Sequence, residues 1–222
     1  MSMTEVMDWD AAYRNDVFAG PPPWNIGEAQ PEIAAVIDSG EIRSPVLDVG
    51  CGVGDVTFLL ASRGYDTVGI DISSVAIAAA TEGARERGLS QARFVEGDVR
   101  QLQFDEEFNT VIDCTLFHSL PVETRDDYLR GVRDAVAPGA ALYMLVFTTD
   151  ALPPDSPFPV PNLVTEREVR DVVAKYWQID EVRPAFVSVQ LPDVPNLPEH
   201  DFEVDELGRV KLPALLLTCR KA

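Results

Sequence analysis

The stretch Val46-Leu47-Asp48-Val49-Gly50-Cys51-Gly52-Val53-Gly54-Asp55, with Gly69-Ile70-Asp71 about 20 residues after Gly50, reads as a strand, a glycine turn, a helix and a second strand ending in a carboxylate. A hydrophobic parallel strand delivers the chain to the carboxyl edge of a sheet. Glycines there let a ligand approach the backbone with no Cβ in the way. The arrangement suits the adenosine part of a cofactor, with Asp71 placed for the ribose.

One position narrows the cofactor. In a dinucleotide site the third glycine of G-x-G-x-x-G opens a helix whose N-terminus faces a pyrophosphate. Here that position is Asp55. A carboxylate against a diphosphate would set like charges together in a poorly solvated cleft, which disfavours NAD, NADP and FAD. S-adenosylmethionine (SAM) has adenosine without phosphate. Its ribose suits Asp71, its sulfonium and ammonium favour nearby carboxylates such as Asp48 and Asp55, and its carboxylate can be held by backbone N–H groups.

Outward from this turn, apolar strands alternate with amphipathic helices, the pattern of a doubly wound α/β sheet. Strands are expected at Val46–Val49, Thr67–Ile70, Ala92–Glu96, Phe108–Cys114 and, after a turn at Pro138-Gly139, Ala140–Phe147. Helices are expected from Val53 to Ser62, from a Ser73 or Ser74 cap to Gly88, from Glu123 to Ala135 and from Glu166 to Tyr176. Ile179–Val189 and Leu212–Cys219 lack a helical pattern between them and predict an antiparallel pair. Residues 1–30, with Trp9, Tyr13, Phe18 and Trp24 around Gly20-Pro21-Pro22-Pro23, read as a lid; Leu152–Pro161 reads as a second wall, and 191–210 as an acidic excursion.

The 222 residues suffice for one domain with a proper core, and 46% apolar with 25% charged residues is ordinary globular composition. The net charge of -19 opposes a phosphate-backbone partner, so no nucleic acid is expected. The sequence shows neither a membrane span nor a signal peptide, which predicts a cytoplasmic protein, with a monomer slightly favoured. Cys51, Cys114 and Cys219 are too scattered for a disulfide framework or a zinc site, and no metal is expected.

Leu47-Asp48-Val49-Gly50-Cys51-Gly52-Val53-Gly54 resembles the first motif of the class I SAM-dependent methyltransferases, with Asp71, Asp98 in Glu96-Gly97-Asp98-Val99 and Asp113 in Ile112-Asp113-Cys114 as further matches. The resemblance implies a Rossmann-like fold: a mostly parallel seven-stranded sheet with an antiparallel last strand and helices on both faces. It also implies that Asp98 binds the adenine amino group, that Val99 gives its N–H to the ring, and that Trp24, Asp48, Gly50, Cys51, Gly52, Gly54, Asp71, Ile72 and Asp113 belong to the cofactor site. Pro23-Trp24-Asn25-Ile26-Gly27-Glu28-Ala29-Gln30-Pro31 resembles the P-W-D/N-x-G-x-x-x-P signature of thiopurine methyltransferase-like enzymes. Leu116-Phe117-His118-Ser119-Leu120 and Met144-Leu145-Val146-Phe147 resemble actinobacterial heterocyclic toxin methyltransferases. Asn25 stands where Asp is commoner, and Pro138-Gly139-Ala140 replaces P-G-G.

The reaction this implies is in-line methyl transfer to an O, N or S atom of a small aromatic or heterocyclic acceptor, with S-adenosylhomocysteine as coproduct. A general base is needed only for a weakly acidic hydroxyl or a protonated nitrogen. His118 is the candidate, because His200 lies in the acidic excursion; the other reading of His118 is a packing or capping histidine. Trp9, Tyr13, Phe117 and His118 are the expected acceptor contacts, although the arm's aromatics could instead be packing staples and Trp24 a core aromatic. Asp113 could cap a strand end, and Cys51 and Cys114 could fill space. The competing functions are a non-catalytic SAM-binding protein, a protein methyltransferase and, opposed by Asp55, a nicotinamide oxidoreductase.

Overall fold

The computed structural model describes residues 7–18, 20–104, 108–152, 162–191 and 202–222. Strand β1 (Val46–Val49) is fully buried, as an apolar run at the centre of a parallel sheet requires. β2 (Thr67–Asp71) and β3 (Ala92–Glu96) extend the sheet on one side, and β4 (Phe108–Cys114) and β5 (Val136–Phe147) on the other, all parallel. β6 (Gln178–Val189) forms the far edge, and β7 (Val210–Arg220) runs antiparallel between it and β5. The order is β3-β2-β1-β4-β5-β7-β6, the mixed seven-stranded sheet the sequence implied. The chain reverses its direction of travel across the sheet between β1 and β4. That reversal opens a crevice at their carboxyl ends, where open α/β sheets bind ligands.

Helices α1 (Trp9–Tyr13), α2 (Pro31–Asp38), α3 (Asp55–Ser62), α4 (Ser74–Arg87), α5 (Arg125–Asp134) and α6 (Glu166–Val173) surround the sheet. Alternation along β1 sends Leu47 and Val49 to a core shared with Tyr128, Leu129, Val132, Val169 and Val173, and Val46 to a core with Ile33, Ile37 and Leu60. Each such side chain contributes about 1.5–3 kcal/mol on burial. Ser73 Oγ accepts the Ala76 N–H at 3.1 Å to start α4, Gly88 ends it in the left-handed region, and α6 opens with a Thr165–Glu168 capping box.

Several boundaries move. α3 starts at Asp55, because Gly54 at φ +96° cannot sit inside a helix. α5 starts at Arg125 after a 3₁₀ turn at Val122–Thr124, and α6 stops at Val173. The expected turn at Pro138-Gly139 is an irregularity within β5, which already pairs at Val136; Gly139 (φ +74°) donates its N–H to Lys221 O at 3.0 Å. Of the expected lid, wall and excursion, residues 1–6, 19, 153–161 and 192–201, including His200, lie outside the described residues. Among the described residues no helix is long and apolar enough to cross a membrane, and no group of His, Cys, Asp or Glu could hold a metal.

Candidate active site

The glycine turn stands at the carboxyl end of β1. Gly50 (φ +67°), Gly52 (φ +53°) and Gly54 (φ +96°) all occupy the left-handed region. A Cβ on Gly52 would also come within 2.5 Å of the Tyr13 hydroxyl, and one on Gly50 within 2.9 Å of Leu116. The N–H groups of Gly50 and Cys51 both donate to Ile70 O, at 2.8 and 3.0 Å. That of Gly52 donates to Asp71 Oδ2 at 2.9 Å, and the Ser73 N–H donates to Asp71 Oδ1 at 2.9 Å. Asp71 is thus clamped by backbone on both oxygens, each of which keeps a lone pair for a diol. Burial raises its pKa, against the pull of those N–H groups.

Two cavities border this turn. The larger, of about 160 Å³, has apolar walls from Trp9, Ile72, Leu116, Leu120 and Phe147, with Asp71, Asp98, Val99 and His118 among its other residues. The smaller, of about 70 Å³, is lined by Cys51, Gly52, Glu28, Asp48 and Asp55, with no Lys or Arg among its lining. Tyr13, Trp24, Gly50, Cys114 and Thr115 border both. Asp48 is 1% exposed; burial pushes its carboxyl up to about 7, against the Thr57 hydroxyl that donates to it at 2.7 Å. Burial also raises Asp55. Arg87 partly offsets the rise at Asp55, but no Lys or Arg lines the cavity itself, and buried carboxylates facing such a cavity suit a ligand that brings a cation; SAM carries both a sulfonium and an ammonium.

The N-terminal arm roofs the cavities. Trp24 meets Trp9 and Phe18 edge-on, at ring distances of 6.1 and 5.3 Å. Asp10 on α1 accepts from Ser73 Oγ at 2.6 Å and from the Val75 N–H at 3.3 Å, so it docks the arm on the start of α4. Gln30, which is buried, donates from Nε2 to Trp24 O and Ser188 O at 3.0 and 2.9 Å and accepts the Ser188 N–H at 2.8 Å. Arg209 ties the stem of the acidic excursion to the arm through Asp205 and Glu28.

Other expected site residues separate from the cavities. Asp113 lines neither. Its carboxylate accepts from Tyr128 Oη at 2.6 Å and from the N–H groups of Leu116 and Phe117 at 2.9 and 3.3 Å, the strand-end capping role, and burial raises its pKa to about 6. Phe117 is fully buried beside Tyr128 and under the Arg125 guanidinium. Asp98 lines the larger cavity but is gripped by Arg100, whose Nε donates to both its oxygens at 2.8 and 2.9 Å. Sequence reasoning missed Thr115, which sits at φ +72° between the cavities, as well as Gln30 and Arg100. Only Arg100, two residues after Asp98, left a local signal.

The two cavities adjoin at Gly50 and Thr115. A methyltransferase domain family matches residues 46–139. The chain is 42% identical over 189 residues to the 2-heptyl-1-hydroxyquinolin-4(1H)-one methyltransferase of Mycobacteroides abscessus, covering 82% of each chain. It superposes with a TM-score of 0.82, at 29% identity and over 99% of this chain and 92% of the other, on a structure solved in work on the conversion of a disulfide bond into a thioacetal group during echinomycin biosynthesis. It shares its fold, at a TM-score of 0.62, 18% identity and 86% and 77% coverage, with the 1,6-didemethyltoxoflavin-N1-methyltransferase of Burkholderia thailandensis bound to S-adenosylhomocysteine. The chain belongs to the SAM-dependent methyltransferase family.

Proposed function

We propose that the acceptor is a small aromatic or heterocyclic molecule, methylated on O, N or S. The observation that carries this reading is the wall of Trp9, Leu116, Leu120 and Phe147 in the part of the larger cavity beyond Asp71 and Asp98, since apolar walls with a few polar groups suit a flat, largely apolar ligand. The Mycobacteroides abscessus relative, named for a quinolone, supports it. In this reading Asp71 receives the ribose, Ile72, Asp98 and Val99 border the adenine, and Trp24, Asp48, Gly50, Cys51 and Gly52 surround the methionine part, while Gly54, which lines neither cavity, packs against Phe58 and Phe94 and shapes the turn. Trp9, Tyr13 and His118 face the acceptor. Residues 1–30 serve as the lid that keeps water out.

SAM supplies an electrophilic methyl group whose departure leaves a neutral thioether. The protein's part is alignment, which can contribute about 7 to 11 kcal/mol, together with exclusion of water. A screen of phenols, N-hydroxy heterocycles and thiols with SAM labelled in its methyl group tests the reading. Transfer to aromatic or heterocyclic members is expected. Binding of SAM with no transfer to any member, and transfer only to aliphatic or peptide acceptors, would refute it.

A further inference from the structure

His118 occupies a place left by a missing strand rung. The last regular bond between β4 and β5 runs from the Thr115 N–H to Leu145 O at 2.9 Å. Continuing the parallel ladder would have the Phe147 N–H donate to Thr115 O. Thr115 instead turns to φ +72°, and its carbonyl accepts from Ser119 Oγ at 3.2 Å. The Phe147 N–H then meets His118 Nδ1 at 3.4 Å. With Nδ1 accepting, the proton of a neutral imidazole belongs on Nε2. The ring is 3% exposed, lies edge-on to Phe147 at 4.9 Å and lines the larger cavity.

Arg125 of α5 stands close to this ring, 6% exposed. Its guanidinium lies 4.7 Å over the Phe117 ring, its Nη2 donates to Asn162 O at 2.8 Å, and its Nε meets no acceptor among the described residues. No described carboxylate pairs with it; Glu168 of α6 acts only at longer range. A buried cation with no paired carboxylate among the described residues disfavours a second positive charge on His118, and, although Arg125 does not itself line the cavity, its field favours an anion beside His118. Burial and Arg125 accordingly lower the imidazole pKa to about 3.

The other titratable groups around the cavity are committed. Asp113 and Tyr128 bond each other, Arg100 holds Asp98, and two backbone N–H groups hold Asp71. Burial raises the Cys114 thiol and the Tyr13 hydroxyl.

We infer that His118 holds the methyl acceptor by donating a hydrogen bond from Nε2, and that the acceptor enters as an anion, an ionised oxygen or sulfur that has already lost its proton to solvent. This rests on the methyl-transfer reading above. The anion's lone pair forms the new bond to the methyl carbon, the carbon–sulfonium bond breaks with its electron pair kept by sulfur, and no proton moves. A donor to an anion whose charge is neutralised in the transition state stabilises the bound ground state at least as much. His118 therefore acts on KM more than on kcat.

The chain has two histidines, so His200→Gln leaves His118 as the sole imidazole for ¹⁵N NMR. A neutral, Nε2-protonated ring from mildly acidic to mildly basic pH is expected; an Nδ1-protonated ring, or a titration within that range, would overturn the assignment. This reading needs no turnover, so its failure is distinct from failure of the methyl-transfer reading. In turnover with an acidic phenol, His118→Leu is expected to raise KM about tenfold or more, with kcat within a few-fold, and His118→Gln, which keeps a donor, to restore most of the loss. Across substituted phenols the acid limb of the rate profile should follow each phenol's own pKa. A limb fixed at one pH, with kcat lost equally in both variants, would identify a general base and overturn the inference.

Discussion

Replacing Asp71 with Asn changes one atom and separates two roles of that carboxylate. In the native turn each oxygen accepts one backbone N–H, from Gly52 and from Ser73, both at 2.9 Å. An amide has a single acceptor oxygen, so one of these N–H groups would face an NH₂ donor and lose its partner in a site only 7% exposed. An unsatisfied buried group costs about 1–3 kcal/mol, and for a chain of this size that lowers the melting temperature by roughly 2–12 °C. The ribose loses one charge-assisted acceptor, worth about 1.5–3 kcal/mol, so the Kd for SAM should rise roughly 10- to 150-fold. Urea unfolding gives the first quantity and calorimetric titration the second. Native stability together with a Kd within twofold of wild type would refute both the clamp and the ribose assignment.

Asp48 has a folded pKa of about 7 against an ordinary 3.8, so its stabilising contribution is complete below about 3.8 and lost as pH rises through about 7. Asp48→Asn should remove that loss, on the order of 2–4 kcal/mol, and reduce the fall of urea midpoints between pH 4 and 8, to which Asp113, raised to about 6, also contributes; an unchanged slope would contradict the buried carboxyl. Thr115→Gly relieves a β-branched residue at φ +72° and should change stability by no more than about 1 kcal/mol, because relief of strain is offset by unfolded-state entropy. A loss of several kcal/mol in chemical denaturation would mean that the Thr115 side chain, not its backbone, secures the turn. Gln30→Ala strands the Ser188 N–H and removes the Gln30 donor from Ser188 O, while Trp24 O keeps the Ile26 N–H at 3.1 Å; the change costs about 1–3 kcal/mol and should speed proteolysis of the N-terminal arm. Equal proteolysis rates would show that Gln30 does not fasten the arm.

The sheet was legible in the sequence because its signals are local. β3 and β4 fall at the expected residues, Gly50, Gly52 and Gly54 occupy the turn that their spacing announced, and Asp71 ends β2. What escaped depends on distant partners. Pro138-Gly139 reads as a turn until β7 is seen to run alongside it and Lys221 O takes the Gly139 N–H. Asp113 reads as a pocket carboxylate until Tyr128, 15 residues on, claims it. The role of Gln30 depends on Ser188, a separation of 158 residues that no periodicity reports. The strained Thr115 follows from where β4 ends against β5, and a β-branched residue gives no hint of positive φ.

Calorimetric titration of the protein with SAM and with S-adenosylhomocysteine, using NADH as the control, tests the reading of the glycine turn and its carboxylates most directly. Micromolar binding of the first two with no heat from NADH is expected. Binding of NADH without SAM would contradict it, because Asp55 would then be facing a pyrophosphate.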